Sequence, residues 1–184
     1  VLNAAAAITY SHIICGINIE DVKKYILEFK GAKRRFKSTD INGTILIDDY
    51  AHNPVEISTV IASAKQKYPN KKIVSVFFEN TFSRTEKFYK EYAEVLKESD
   101  EVFVTDILSD REKKKDYPNV GPNLILDLLE NGHYLNIDNF IDKNNLSIIK
   151  PLKKYKNSVI IFMGCKEVYY LKEKLELCLK EDLC

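Results

Sequence analysis

The sequence predicts an α/β fold: a three-layer, Rossmann-like domain whose mostly parallel sheet has helices on both faces, preceded by a short helical fragment. Short runs of apolar, often β-branched residues alternate along the chain with segments of helical periodicity. Runs that are apolar on both faces are typical of parallel strands covered by helices. The chain has 184 residues, which is room for one sizeable core and a fragment of another domain.

The first thirty residues are predicted to form two helices. Residues 2–15 are rich in alanine and apolar on almost every side, which indicates a helix that is meant to be buried. Gly16 interrupts it, and residues 20–30 then carry apolar side chains at helical spacing behind two acids in the first turn. A helix this apolar at the edge of a chain needs other protein surface packed against it. Together with the absence of a starting methionine, this suggests an excised fragment.

The rest of the chain reads as alternating strands and helices. Asn42-Gly43 predicts a tight turn that joins residues 36–40 to a buried strand at residues 44–48. Pro54 then begins a helix. The later strands are predicted at residues 72–78, 101–106, 133–136 and 158–163, and the later helices at residues 85–98, 124–129 and 168–179.

Ligands of such sheets bind where parallel strands end. A site is therefore expected in the loops that follow Ile47, Phe77, Val104 and Phe162.

The composition argues against several classes of partner. The net charge is +1, so no basic excess points to a nucleic acid or a membrane surface. No apolar run reaches the roughly 18 residues of a membrane helix. The four cysteines show no paired spacing, which predicts reduced thiols and a cytoplasmic protein.

The loop after the strand at residues 44–48 combines carboxylates, a phenol and an imidazole. Its sequence is Asp48-Asp49-Tyr50-Ala51-His52-Asn53-Pro54. The carboxylates can accept hydrogen bonds from ribose hydroxyls, and the tyrosine ring offers a flat face for a base. The alternative is an Asp or Asn that caps the next helix, with a surface tyrosine beside it.

The loop after residues 72–78 places an arginine among hydroxyls and an amide. Its sequence is Glu79-Asn80-Thr81-Phe82-Ser83-Arg84-Thr85-Glu86. Arg84 can hold a carboxylate through two parallel hydrogen bonds. The alternative is a helix capped by Ser83 or Thr85, with Arg84 in solvent.

Two further segments are compatible with phosphate or ligand contacts. Arg34-Arg35 can pair with phosphates, or can be a basic surface turn. Gly164, in Met163-Gly164-Cys165-Lys166, allows a close backbone approach to a ligand or a tight turn. The sequence contains no GxxxxGK[ST] loop, so it carries only half of a nucleotide site.

Taken in order, four segments resemble the Mur ligase family, and within it the ligases that join L-alanine to UDP-N-acetylmuramate. The segments are residues 3–7, 29–36, 48–56 and 82–85. The resemblance implies that residues 1–30 are the last helices of a central ATPase domain and that residues 31–184 form the carboxy-terminal domain. The amino-terminal, UDP-binding domain and the rest of the central domain, with its P-loop, would be the partners of this chain.

The resemblance also implies the chemistry. ATP converts the muramyl carboxylate to an acyl phosphate, which the amine of L-alanine attacks, in the synthesis of peptidoglycan for the cell wall. Both steps need concentrated positive charge and Mg²⁺. The magnesium ligands are expected on the central domain and none on this chain, which would be inactive alone.

The resemblance assigns roles to individual residues. The matching positions are Asn3 for adenine, Arg35 for the phosphates, Asp49 for the nucleotide with Asp48, Tyr50 and His52 beside it, and Arg84 with Asn80 for the amino acid. Arg84, expected near the acyl phosphate as well, is the predicted catalytic residue.

The chain departs from the family pattern at three places. It has Asn53 where the second histidine of His-His-Pro is usual, Glu79-Asn80 where Pro-His is usual, and Gly164-Cys165-Lys166 where Gly-Ala-Gly is usual. Two alternatives stay open. One is a ligase that recycles a murein tripeptide, in which Phe is commoner than Tyr50, and the other is a stand-alone nucleotide-binding module.

Overall fold

The computed structural model describes residues 2–29, 32–109, 111–142, 145–165 and 168–181. The predicted Lys166 position and the Gly31 junction lie outside these residues. The chain divides into two compact units, Val1–Ala32 and Lys33–Cys184.

The first unit is helical. Helix α1 (Leu2–Thr9) continues as a π-helical turn (Tyr10–Ile14), and α2 spans Ile19–Glu28, with the Asn18 side chain as its cap. The predicted single α-helix at residues 2–15 therefore changes its hydrogen-bonding pattern half-way. Its apolar side chains are largely exposed, Ile13 by 69%. The surface that was expected to cover this helix stays a prediction.

The second unit contains all the predicted strands and the main predicted helices. In chain order they are β1 (Lys37–Ile41), β2 (Thr44–Asp49), α3 (Pro54–Lys67), β3 (Ile73–Phe78), α4 (Phe82–Leu96), β4 (Glu101–Thr105), α5 (Asn123–Leu126), β5 (Gly132–Leu135), α6 (Lys150–Lys153), β6 (Val159–Gly164) and α7 (Tyr169–Glu181). The single turn of α6, which begins at the Lys150-Pro151 step, was not predicted.

The six strands form one sheet in the order β1-β2-β6-β3-β4-β5. The β1–β2 pair is antiparallel and every other pair is parallel. The predicted hairpin is confirmed, with Asn42 and Gly43 both at positive φ, as its tight turn requires. The last strand, β6, pairs with β2 on one side and β3 on the other, so it lies inside the sheet.

Alternate side chains of the strands enter two separate hydrophobic cores. Ile160 and Phe162 of β6 pack in one core with Leu175 of α7, whereas Ile161 and Met163 pack in the other with residues of α3 and α4. Helices therefore cover both faces of a mostly parallel sheet, and the predicted three-layer, Rossmann-like α/β fold is confirmed. This arrangement turns the carboxyl ends of β2, β3, β4 and β6 toward one edge.

The cysteines depart in part from the prediction. Cys15 and Cys165 are free thiols. Cys178, on α7, is disulfide-bonded, so the expectation of reduced cysteines is wrong at this position. Over the residues that the structure describes, no helix is long and apolar enough to cross a membrane.

Candidate active site

A cavity of about 350 Å³ opens where the parallel strands end. Its lining residues are Tyr50, His52, Asn80, Thr81, Arg84, Ser109, Arg111 and Cys165. They come from the loops after β2, β3, β4 and β6, which are the four loops in which a site was predicted. None of these lining residues is acidic, whereas two are arginines. The cavity therefore suits an anionic group.

The loop after β2 is fixed by Asp49. Its carboxylate is buried and accepts hydrogen bonds from the backbone N–H groups of Phe36, at 2.7 Å, and Ala51, at 2.8 Å. The segment that Asp49 holds contains Arg34 and Phe36 at positive φ, which non-glycine residues rarely adopt. In this structure Asp49 thus shapes the loop, and its contact with a nucleotide stays a prediction.

Arg34 joins the ends of two strands. Its Nη2 donates to the carbonyl of Gly164 at 2.9 Å, and its Nε lies 3.4 Å from Oδ1 of Asp48. Burial raises the pKa of Asp48 above its ordinary value, and the adjacent Arg34 opposes that rise. The sequence left two interpretations of Arg34-Arg35, a phosphate-binding pair or a basic surface turn. Because Arg34 contacts Gly164 and Asp48, it is not simply a solvated residue of a surface turn.

Tyr50 is surrounded by cationic and polar groups. The guanidinium carbons of Arg34 and Arg35 lie 5.1 Å and 5.5 Å from the centre of its ring, within the range of cation–π attraction. A hydrogen bond with the thiol of Cys165, with burial as a smaller cause, raises the pKa of the Tyr50 phenol. The ring of His52 meets Tyr50 edge-on at 5.5 Å.

The backbone beyond His52 begins α3 with a reciprocal cap. Asn53 Oδ1 accepts the N–H of Glu56 at 3.0 Å, and Glu56 Oε2 accepts the N–H of His52 at 3.1 Å. The Tyr92 hydroxyl donates to the carbonyl of His52 at 2.9 Å. The capping alternative is therefore correct for Asn53, while the side chain of His52 lines the cavity.

Arg84 lies on the first turn of α4 and is held by Asn80. Its side chain is 31% exposed, and its Nη1 donates to Asn80 Oδ1 at 3.1 Å. Ser83 and Thr85 do not cap the helix, because Thr85 Oγ1 donates to the carbonyl of Thr81 and Ser83 bonds to another loop. Because Asn80 binds its guanidinium, Arg84 is not a free side chain in solvent, and that alternative is wrong.

Glu79 lies directly beneath this pair. Its side chain is 1% exposed, and its Oε1 accepts the N–H groups of Asn80 at 2.7 Å and Thr81 at 3.3 Å. The same oxygen is 3.9 Å from Nη1 of Arg84. Within the described part of the chain, Oε2 has no hydrogen-bond partner. Burial raises the pKa of Glu79, although the N–H of Asn80, then Tyr92 and Arg84, lower it.

The loop after β4 contributes Ser109 and Arg111, which sequence reasoning did not single out. Glu112 accepts both the N–H, at 3.0 Å, and the hydroxyl of Ser83 at the start of α4. The N–H of Glu112 in turn donates to Ser109 Oγ at 3.0 Å. These bonds fix the loop beside α4. The strand end at Val104 predicted the loop, but no local pattern marks Arg111.

The remaining predictions concern Asn3, whose contact with adenine stays a prediction, and the metal ligands. Asn3 is an exposed residue of α1, in the first compact unit. In the described ranges, no group of three or more His, Cys, Asp or Glu side chains is placed to hold a metal ion. Asp48 and Asp49 already face Arg34 and backbone amides, so they do not fit the oxygen ligands that Mg²⁺ requires.

The sequence of the sheet and its loops matches a known family. Residues 34–165, which contain every element of the cavity, match the family described as Mur ligase, glutamate ligase domain. The chain belongs to the Mur ligase family. Members of this family are ligases, and the predicted family is thereby confirmed.

Solved structures of Mur ligases have the same fold. UDP-N-acetylmuramate-alanine ligase MurC from Thermotoga maritima is 26% identical, with a TM-score of 0.66 over 95% of this chain and 36% of its own. The murein peptide ligase Mpl from Psychrobacter arcticus is 19% identical, with a TM-score of 0.64 over 99% of this chain and 37% of its own.

The MurF ligase from Thermotoga maritima, solved in complex with ADP, is 19% identical, with a TM-score of 0.64 over 95% of this chain and 37% of its own. The chain thus spans little more than a third of these Mur ligases. Because their names differ, the shared fold does not by itself identify a substrate.

Proposed function

We propose that this chain is the carboxy-terminal domain of a cytoplasmic, ATP-dependent ligase that joins L-alanine to UDP-N-acetylmuramate in peptidoglycan precursor synthesis. Residues 1–30 would then be the last helices of its central ATPase domain. The observation that carries the proposal is the cavity at the strand ends of a Mur ligase fold, lined by Arg84 and Arg111 and, among the described residues, by no acidic side chain.

The cavity can receive the carboxylate of an amino acid. The planar guanidinium of Arg84 can form two parallel hydrogen bonds with a carboxylate, and Asn80 holds that guanidinium at one nitrogen. The amine of the same amino acid is then free to attack an acyl phosphate, which forms an amide and releases inorganic phosphate and a proton. A volume of about 350 Å³ is in keeping with a small amino acid.

The nucleotide contacts are proposed around Tyr50. Arg35 is exposed beside its ring and can reach a phosphate, and Asp48 with His52 completes this side of the site. Asn3 would contact adenine from the first helix. ATP supplies the phosphoryl group, and Mg²⁺ would be held by the central domain. The neighbouring MurF structure contains ADP, which supports a nucleotide site in this type of protein.

L-alanine is proposed over other amino acids because the 26%-identical Thermotoga maritima protein is an alanine ligase. The test is a ligation assay on the complete enzyme with UDP-N-acetylmuramate, ATP and, in turn, alanine, glycine, serine and the murein tripeptide. Preferential use of alanine is expected. Preference for the tripeptide would instead establish the recycling ligase.

Arg84→Ala in the complete enzyme should raise the KM for alanine by about tenfold or more, because a charge-assisted pair contributes roughly 1.5–3 kcal/mol. The KM for ATP should stay within about twofold. Lys90→Ala, an exposed change on the same helix, is the matched control. An unchanged KM for alanine in the Arg84 variant would remove this residue from the amino-acid site.

The alternative, a stand-alone nucleotide-binding module, differs from the ligase in what the DNA upstream of residue 1 should encode. An in-frame P-loop motif of an ATPase domain upstream of residue 1 is expected for the ligase. A start codon near residue 1 would favour the module.

A further inference from the structure

Glu79 is a buried carboxyl group that the proposed chemistry does not use directly. It lies outside the lining of the cavity but beneath two lining residues, Asn80 and Thr81, whose N–H groups it accepts. Its second oxygen has no hydrogen-bond partner among the described residues. A carboxylate in such a place is costly unless it is paired, so a purely structural role would favour a neutral side chain here.

We propose that Glu79 is a positioning residue whose negative charge orients Arg84 and Asn80 to receive the carboxylate of the amino-acid substrate. This inference rests on the proposed function of the cavity. It gives a role to Glu79, which stands where similar sequences usually have the proline of a Pro-His pair.

The geometry links the three residues in a closed set of contacts. Glu79 Oε1 accepts the Asn80 N–H at 2.7 Å, Asn80 Oδ1 accepts Arg84 Nη1 at 3.1 Å, and Glu79 Oε1 lies 3.9 Å from that same nitrogen. Glu79 thus fixes the backbone that presents Asn80 and attracts the guanidinium that Asn80 binds. Asn80 and Glu79 thus hold Nη1 of Arg84, and the other N–H groups of the guanidinium can bind a ligand.

The charge of Glu79 has few other partners. The charged and titratable groups that face it are Arg84 and Tyr92, both on α4. Burial, followed by the proximity of Glu79, raises the pKa of the Tyr92 phenol. From the loop after β4, the Leu108 N–H donates to the carbonyl of Glu79 at 3.1 Å. Of Arg84 and Tyr92, only Arg84 carries a positive charge, and the Tyr92 hydroxyl also lowers the pKa of Glu79.

The decisive variant is Glu79→Gln, which keeps the size of the side chain and an acceptor for the backbone N–H groups but removes the charge. In the complete enzyme we expect the KM for alanine to rise about tenfold. We expect kcat and the KM for ATP to stay within about twofold. Glu98→Gln, at the exposed end of α4, is the matched control and should leave all three constants unchanged.

A second readout separates positioning from a structural role. Because the pKa of Glu79 is raised by folding, ionisation of this group opposes folding, and stability falls as pH rises through the raised value. Glu79→Gln should therefore raise Tm at neutral pH. The difference should vanish at a pH below the ordinary glutamate pKa of about 4.3. A more stable variant with weaker alanine binding is the expected signature.

Three outcomes would overturn the inference. They are an unchanged KM for alanine, an equal loss for all substrates, or a lower Tm at neutral pH. If the wild-type enzyme ligated no alanine, the proposed function would fail instead. Glu79 could then still be tested by NMR of the Arg84 guanidinium in the 184-residue chain. Restricted rotation of the guanidinium in the wild type and its loss in Glu79→Gln would support positioning, whereas identical signals would refute it.

Discussion

At the scale of single residues, Asp49 shows that a predicted ligand contact and a structural role can meet in one side chain. Both of its oxygens accept backbone N–H groups, and the residues it holds include the turn that carries Arg34 and Arg35. A nucleotide contact through Asp49 would have to share these acceptors. The loop, rather than the free carboxylate, is what Asp49 contributes in this structure.

Asp49→Ala should lower the free energy of unfolding by about 2–4 kcal/mol, because a buried and a part-buried N–H group lose their acceptors. In the complete enzyme it should also weaken ATP use, because the turn beside Tyr50 loosens. Urea denaturation and ATP kinetics measure the two effects, with the exposed Asp127→Ala as control. Lower stability with normal ATP kinetics would restrict Asp49 to the structural role.

Some of the predicted site residues line the cavity for a simple reason, while their roles stay predictions. Tyr50, His52, Asn80 and Arg84 stand in the loops and the helix start that follow predicted strands, and parallel strands bring their ends together. Arg111 was missed because no local pattern marks it, and its loop is placed by the bonds of Glu112 to α4. The burial of Glu79 was also missed, because an acid after a strand normally indicates a surface loop.

At the scale of elements, the strands were predicted closely because each is apolar on both faces and bounded by polar segments. The change from α to π hydrogen bonding at Tyr10 was not predictable, since residues 2–15 are uniformly helix-forming. The single turn of α6 was missed because four residues are too few to show a period. The local sequence pattern was therefore enough to predict the layers of the fold, whereas the conformations of the short connections depend on tertiary contacts.

For Gly164, at the end of β6, the sequence allowed a close approach to a ligand or a tight turn, whereas the structure shows a close approach to β3. Its φ is +142°, and a Cβ there would lie 2.6 Å from the carbonyl oxygen of Phe78. Gly164→Ala should therefore destabilise the fold by about 3 kcal/mol or more, through strain and a clash.

Urea denaturation measures the cost, and Gly16→Ala is an informative control because Gly16 has positive φ but no atom near its Cβ position. The control should show the smaller loss, from backbone strain alone. Equal losses in the two variants would mean that the contact with Phe78 contributes nothing.

At the scale of the whole molecule, we propose that this chain supplies only part of a nucleotide site. It lacks a phosphate-binding loop, and its aspartates at the strand ends are engaged by Arg34 and by backbone amides. The 184-residue chain should therefore bind ATP weakly or not at all, as measured by calorimetry with Mg²⁺ present. A dissociation constant in the low micromolar range would contradict this and favour the stand-alone module.

The interior position of β6 has a consequence for how the protein is made. Residues 159–164 join β1-β2 to β3-β4-β5, so before they leave the ribosome the two groups of strands have no common partner. At a translation rate of roughly 5–20 residues per second, the nascent chain spends several seconds with apolar strands uncovered. During that interval chaperones and proteases, rather than the native sheet, compete for those strands.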